Sequence, residues 1–344
     1  MRHFILQTVL AVFLIGIVPS FAFEIEEQKA YDGLTGGRQL AILSTADVDV
    51  FEPIIRAFQI QNPKVDITYV TSGSTNVMKA IYEEAAQFDL VISSAMDLQT
   101  KLANDGFAME HTSEKVASLP VWAKWRNQIF GFTQEPAVMV ISESAFGDLE
   151  VPRTRQELIE LLRDNPETFK GKVGTYDVRS SGLGYLFATQ DSRNTESFWR
   201  LTEVMGRLDA QLYCCSGGMI ADVASGKLAL AYNVLGSYAE SQLAGTDGLR
   251  IVPLDDFVGV MLRTALIPKG AKNSSDAGKM IDFLAEFGAN TNLPALTGLP
   301  PISENAEELG TVLRPIKLGP GLLVFLDKQR RETFLRSWTS SIKQ

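Results

Sequence analysis

The chain has 344 residues, 45% hydrophobic and 21% charged, which excludes a disordered, collagen-like or coiled-coil protein and suggests two domains with sizeable cores. Its 32 Lys and Arg against 41 Asp and Glu give a net charge of -9, an argument against nucleic acid or an anionic membrane as partner. Only two His and two Cys are available for metal binding or catalysis. The chain opens on Met1-Arg2-His3, an apolar run from Phe4 to Val18, and small residues at Ser20 and Ala22. This reads as a secretory signal peptide spanning 1–22 and cleaved after Ala22. The run is shorter than the ~20 residues of a membrane span, and no Cys lies near the cleavage site to accept a lipid. The expected location is therefore the periplasm. Residues 23–37, with Glu24, Glu26, Glu27, Gly33, Gly36 and Gly37, read as a loose leader.

From residue 38 the chain alternates strands and helices. Residues 39–43 form a short apolar strand, and Phe51, Ile54, Ile55 and Phe58 recur at helical spacing until Asn62-Pro63 stops the helix. Val65, Ile67 and Tyr69 alternate as a second strand. A helix through Met78, Ile81 and Tyr82 and a third strand at 88–92 follow. This order predicts a parallel sheet covered by helices. The same grammar restarts with strands at 172–175, 211–213, 228–232 and 250–254. Two long apolar stretches, 136–141 and 258–267, read as crossings between two α/β lobes. Lobe 1 is then 38–135 plus 256–305, and lobe 2 is 136–255 plus 306–344. Two consecutive domains joined once would be simpler but would leave the second stretch unexplained.

Polar residues collect where these strands end. Ser44-Thr45, Ser72-Gly73-Ser74-Thr75, Ser94, Ser180-Ser181-Gly182 and Ser216 all follow predicted strands and precede helix starts. Helix N-termini carry unpaired N–H groups and a positive dipole end, so hydroxyls and glycines there suit an anion. Any one of these turns can be an ordinary helix cap. Divided between two lobes, the set points to a shared cleft at the carboxyl ends of the strands.

With Ser44-Thr45-Ala46-Asp47, Asn62-Pro63-Lys64-Val65, Phe88-Asp89-Leu90-Val91, the segment from Gly226 through Tyr238 and the ending Leu318-Gly319-Pro320-Gly321, the chain resembles a periplasmic solute-binding protein of the group that includes ferric-iron, hexose-phosphate and phosphonate binders. The resemblance implies an α/β, two-lobed periplasmic binding protein of type II. Each lobe is a mainly parallel sheet covered by helices, and two crossing strands join the lobes. It also implies a monomer that closes on a small solute for the permease of an ABC importer. A sensor that reports to a histidine kinase and a ferric-iron binder are the alternatives it leaves.

The ferric members use an adjacent tyrosine pair, where this chain has Tyr232-Asn233 and then Tyr238. His111, in Glu110-His111-Thr112, reads as an exposed loop residue. No metal and no cofactor is therefore expected, and the hydroxyl-rich turns fit a phosphorylated or carboxylated organic solute. Arg179, beside Ser180, is the expected charged anchor, because a guanidinium grips an oxyanion bidentately. A surface pair with Asp177 is its competing role. Arg126, Gln134 at the first crossing, Asn233 and Tyr238 complete the candidate ligand residues. Trp122 and Trp125 could stack on a sugar, but their spacing also fits core. An enzyme is not expected: the mature chain offers one His, and it has no G-x-S-x-G, H-E-x-x-H or phosphate-loop motif. Cys214-Cys215 reads as two small buried residues at a strand end, since a disulfide between neighbours forces an eight-membered ring.

Overall fold

The computed structural model describes residues 23–243, 246–289, 292–303 and 313–343. The expected signal peptide and its cleavage site lie outside these. The first lobe begins with β1 (Glu27–Tyr31), β2 (Arg38–Ser44), α1 (Val48–Gln61), β3 (Val65–Thr71), α2 (Ser74–Tyr82), β4 (Leu90–Ser93) and α3 (Met96–Asn104). Strand β2 pairs in parallel with β3 on one side and β4 on the other. Phe51, Ile54, Ile55 and Phe58 all face the sheet and are fully buried, and Phe51 stacks on Tyr69 at 5.0 Å between ring centres. Each such side chain contributes about 1.5–3 kcal/mol by leaving water. Helix α1 ends before Pro63, which disfavours helical backbone at Asn62.

The long strand β5 (Ile129–Ser142) leads into lobe 2. There the chain forms α4 (Arg155–Asp164), β6 (Val173–Tyr176), α5 (Gly182–Asn194), α6 (Ser197–Arg207), β7 (Gln211–Tyr213), α7 (Ser216–Ala224), β8 (Leu230–Leu235), α8 (Gly236–Leu243) and β9 (Leu249–Val252). Strand β6 pairs in parallel with both β8 and β7, while β8 and β9 run antiparallel to β5. The chain then returns through β10 (Val258–Pro268) to α9 (Ser274–Ala285) in lobe 1, and ends with β11 (Leu313–Pro315) and α10 (Lys328–Ile342).

The passage between lobes can be read from the register. Pro136 on β5 pairs with Val260 on β10, and the next residue, Ala137, pairs with Leu235 on β8. Strand β10 lies between β4 and β5, antiparallel to both, so two crossing strands form the hinge of a two-lobed type II binding fold. Strand β11 pairs with the start of β10 at Val258, and α10 then packs Phe334 against Tyr185 and Phe198 of lobe 2.

Two expectations need correction. Residues 23–37 are no loose leader: β1 pairs antiparallel along all of its length with β3, from Glu27 opposite Thr71 to Tyr31 opposite Ile67. Phe23 and Tyr31 are buried, and Asp66 accepts the N–H groups of Gly33 and Gly37 at 2.7 and 3.2 Å. An edge strand needs only one apolar face and tolerates charges such as Glu27 and Lys29, which is why its sequence looks loop-like. His111 is half-buried rather than exposed, with Nε2 2.7 Å from Asp282 and its ring edge-on to Phe130. Among the described residues no helix is long and apolar enough to cross a membrane.

Candidate ligand cleft

The carboxyl ends of β2, β3 and β4 in lobe 1 face those of β6, β7 and β8 in lobe 2 across a cavity of about 120 Å³. From lobe 1 come Thr45, Ser72, Ser94 and the N-terminus of α2 at Gly73-Ser74. Lobe 2 supplies Tyr176, the N-terminus of α5 at Ser181 and that of α7 at Ser216-Gly217, with Leu183, Leu235 and Tyr238 between them. First-turn N–H groups have no partner inside their own helix, so three helix starts bring positive dipole ends to one small space, although at α5 the Leu183 and Gly184 N–H groups already bond Ser74 and Ser181.

Most of the hydroxyls are held by the fold rather than free to rotate. Thr45 Oγ1 accepts the Ser94 N–H at 3.0 Å and lies 3.3 Å from Ser94 Oγ. Ser216 Oγ lies 2.6 Å from Tyr176 OH and accepts the Leu235 N–H at 3.1 Å. Ser72 Oγ donates to the carbonyl of Glu24, and Ser181 Oγ accepts the Gly184 N–H as the cap of α5. The lobes are closed on each other. Ser74 Oγ accepts the Leu183 N–H at 3.2 Å, Thr75 Oγ1 donates to the Ser180 carbonyl at 2.7 Å, and Tyr238 OH accepts the Asp47 N–H at 3.2 Å.

The cation lining this cleft is Arg263, in the middle of crossing strand β10 and fully buried. Its Nε and Nη2 donate to the two carboxylate oxygens of Glu135 at 2.9 and 3.1 Å, and Nη1 reaches Thr45 Oγ1 at 3.4 Å. Glu135, on the other crossing strand, also accepts from Thr133 Oγ1 at 2.9 Å and from Ser237 Oγ. Burial would lower the Arg263 pKa, but the Glu135 carboxylate outweighs it and holds the guanidinium charged. Sequence reading passed over Arg263. The available signal was a lone cation inside an apolar crossing strand, with Glu135 in the partner crossing.

At the rim stand the carboxyls of Glu26 and Asp47. Burial, together with each other's charge or that of nearby acids, pushes both above the ordinary carboxyl range, Arg263 offsetting part of the shift at Asp47. Burial likewise raises the Tyr238 and Tyr176 hydroxyls, which stay protonated.

Of the sixteen residues expected from sequence, the structure brings Thr45, Ser72, Gly73, Ser74, Ser94, Ser181, Ser216 and Tyr238 to this cavity. Ser44 lies behind the wall, its Oγ accepting the Ala46 N–H, while Thr75, Ser180 and Gly182 form the contact between lobes. The remaining four are placed elsewhere. Arg179 is held by Asp177 through Nε at 2.7 Å and Nη2 at 2.5 Å, outside the cavity wall, so its surface pairing is the role observed. Arg126 occupies the turn before β5 and stacks on Trp125 at 4.2 Å, level with the amino-terminal end of β4 and so opposite the cleft. Gln134 is buried beside the cleft with Oε1 unbonded to protein, but does not line it. Asn233 sits in a bulge of β8 at φ 63°, which turns its amide to Asp191 at 2.9 Å. Tyr232 joins the same buried network, its hydroxyl donating to Asp191 and accepting from Arg155. Trp122 and Trp125 pack on the core instead of the cleft. Cys214 and Cys215, expected to be buried, are joined by a disulfide and line the cavity, Cys214 exposed and Cys215 half-exposed. Among the described residues no cluster of three or more His, Cys, Asp or Glu converges.

This geometry defines a two-lobed binding protein that encloses a small molecule. Residues 41–289 match the sequence profile of the bacterial extracellular solute-binding proteins, and the chain belongs to that family. A substrate-binding protein of an ABC transporter from Agrobacterium tumefaciens is 29% identical, with a TM-score of 0.87 over 92% of this chain and 98% of that one. The periplasmic binding protein AfuA from Actinobacillus pleuropneumoniae, solved with fructose-6-phosphate, is 16% identical with a TM-score of 0.71, covering 89% of this chain and 98% of that one. Iron-bound HitA from Pseudomonas aeruginosa is also 16% identical, with a TM-score of 0.67 over 89% of this chain and 99% of that one. At that identity AfuA and HitA share the fold alone. No curated protein sequence matches the chain significantly.

Proposed function

We propose that the protein captures a small oxyanion-bearing organic solute, a carboxylate or phosphonate, in the periplasm and delivers it as a monomer to the permease of an ABC importer. The observation that carries this reading is the convergence of three helix N-termini and the charged Arg263 on one cavity between closed lobes. Oxyanions are the ligands such helix starts favour. The cavity of about 120 Å³ is somewhat smaller than the ~150 Å³ known to hold benzene, so the fitting solute has on the order of five or six non-hydrogen atoms. A hexose phosphate is too large for this closed state. The resemblance to the Agrobacterium tumefaciens transporter protein supports the importer assignment.

Thermal melting and small-angle scattering with acetate, propionate, malonate, inorganic phosphate and ethylphosphonate test the reading. At least one should raise the melting temperature and favour the compact state; no response to any of them would reject an oxyanion as ligand. Closure itself is tested at Gly182. A Cβ there would lie 2.8 Å from Leu98 Cδ1 and 2.9 Å from Ser74 Oγ, both on the opposite lobe. Gly182→Val should weaken binding of the responding anion by about tenfold or more, a cost of ~1.4 kcal/mol or above. Unchanged affinity would mean that closure at this contact is not needed.

The rim acids add a pH dependence. Their raised pKa values make Glu26 and Asp47 take up protons at higher pH than ordinary carboxyls, removing negative charge beside the entrance. Affinity for propionate, which keeps its charge near neutral pH, should therefore rise as the pH is lowered from 7.5 toward 6, and calorimetry on Glu26→Gln/Asp47→Asn should show a flatter profile.

A further inference from the structure

The disulfide between Cys214 and Cys215 has no evident role in holding the fold together. A cross-link between neighbours closes almost no loop, so it removes little freedom from the unfolded chain. Its place is more informative. Both residues line the cavity, directly before α7, and Cys215 caps that helix without a side-chain bond to it. Around them lobe 2 presents Leu183, Leu235 and the rings of Tyr176 and Tyr238, whereas lobe 1 presents the hydroxyls of Thr45, Ser74 and Ser94. The carbon and sulfur surfaces of the cavity thus all belong to lobe 2, beside its Ser181 and Ser216 hydroxyls, whereas lobe 1 lines it with polar residues and Gly73 alone. A disulfide is polarisable, has no N–H or O–H donor, and when it joins neighbours is locked into a ring that cannot rotate away.

Resting on the oxyanion reading above, we propose that the Cys214–Cys215 disulfide is the contact surface for the hydrocarbon part of the solute and so sets its specificity. The solute is then amphipathic, its oxyanion held by helix starts and Arg263 and its short carbon chain laid on the sulfur ring. Each methylene placed on that surface should tighten binding by up to roughly fourfold, the value of one buried CH₂.

Calorimetry with acetate, propionate and butyrate, and with methyl-, ethyl- and propylphosphonate, tests this on the wild type and on Cys214→Ser/Cys215→Ser. Affinity should climb along at least one series in the wild type, to the length at which the cavity is full, and the climb should flatten in the variant. A second measurement needs no variant. The best-binding probe, at saturation, should slow reduction of the wild-type disulfide by dithiothreitol several-fold, because the bound chain covers the sulfurs. An equal climb in both proteins, a flat wild-type series, or unprotected reduction in the presence of bound probe would each overturn the disulfide contact and leave oxyanion capture standing. No binding by either series would overturn both.

Discussion

Replacing Arg263 with methionine is expected to destabilise the protein by about 3–5 kcal/mol and to abolish binding of short carboxylates and phosphonates. The stability loss comes less from the missing arginine than from what it leaves behind. Glu135 is fully buried, and with its partner gone it would be an uncompensated charge between the two crossing strands. Arg263→Met/Glu135→Leu removes both charges and should recover most of the loss, because a buried ion pair is often replaceable by apolar residues of similar size. Neither variant should bind the anions. Urea unfolding followed by tryptophan fluorescence separates the effects. A single variant as stable as the wild type would show that the pair is not coupled, and a double variant that still binds would remove Arg263 from the ligand contacts.

Asp97 should give the fold a stability that declines as the solution becomes less acidic. Its carboxyl is buried in the first turn of α3, where it accepts the Leu98 N–H at 2.9 Å, and burial pushes its pKa up to about 7, the backbone N–H groups of Leu98 and Asp97 and the Arg331 charge offsetting only part. In the unfolded chain an aspartate titrates near ~3.9. Between those values the folded state binds the extra proton, so stability falls as pH rises from about 4 to about 7 and then stays level. Asp97→Asn should match the wild type near pH 4 and exceed it at pH 8 by about 3–4 kcal/mol, at 1.36 kcal/mol per unit. Urea denaturation at the two pH values decides the matter. A stability difference independent of pH would mean that Asp97 does not titrate with folding.

The lobes and half of the cleft could be read from sequence because both depend on local pattern. The alternation at Val65, Ile67 and Tyr69, the spacing of Phe51, Ile54, Ile55 and Phe58, and the serines after each strand report their own surroundings. What escaped depends on partners remote in sequence, or on competition nearby. Arg263 shows its purpose only beside Glu135, 128 residues earlier in the chain. Arg179 has the right residue type in the right kind of turn, yet Asp177, two residues before it, takes the Nε–Nη2 edge of its guanidinium. Asn233 follows the expected strand but is rotated by a bulge that no hydrophobic pattern records.

The way the chain weaves between lobes also bears on when the molecule can become folded. Lobe 1 needs β10 and α9 beside strands made some 200 residues earlier, and lobe 2 is covered by α10, the last helix to emerge. Contacts so distant along the chain close large loops before they are rewarded, which makes folding slow. For a chain threaded through a membrane in extended form, as the proposed export requires, that delay is useful. The amino-terminal strands cannot lock into a finished lobe while the residues that complete it are still being made, so the chain remains slack enough to be pulled across.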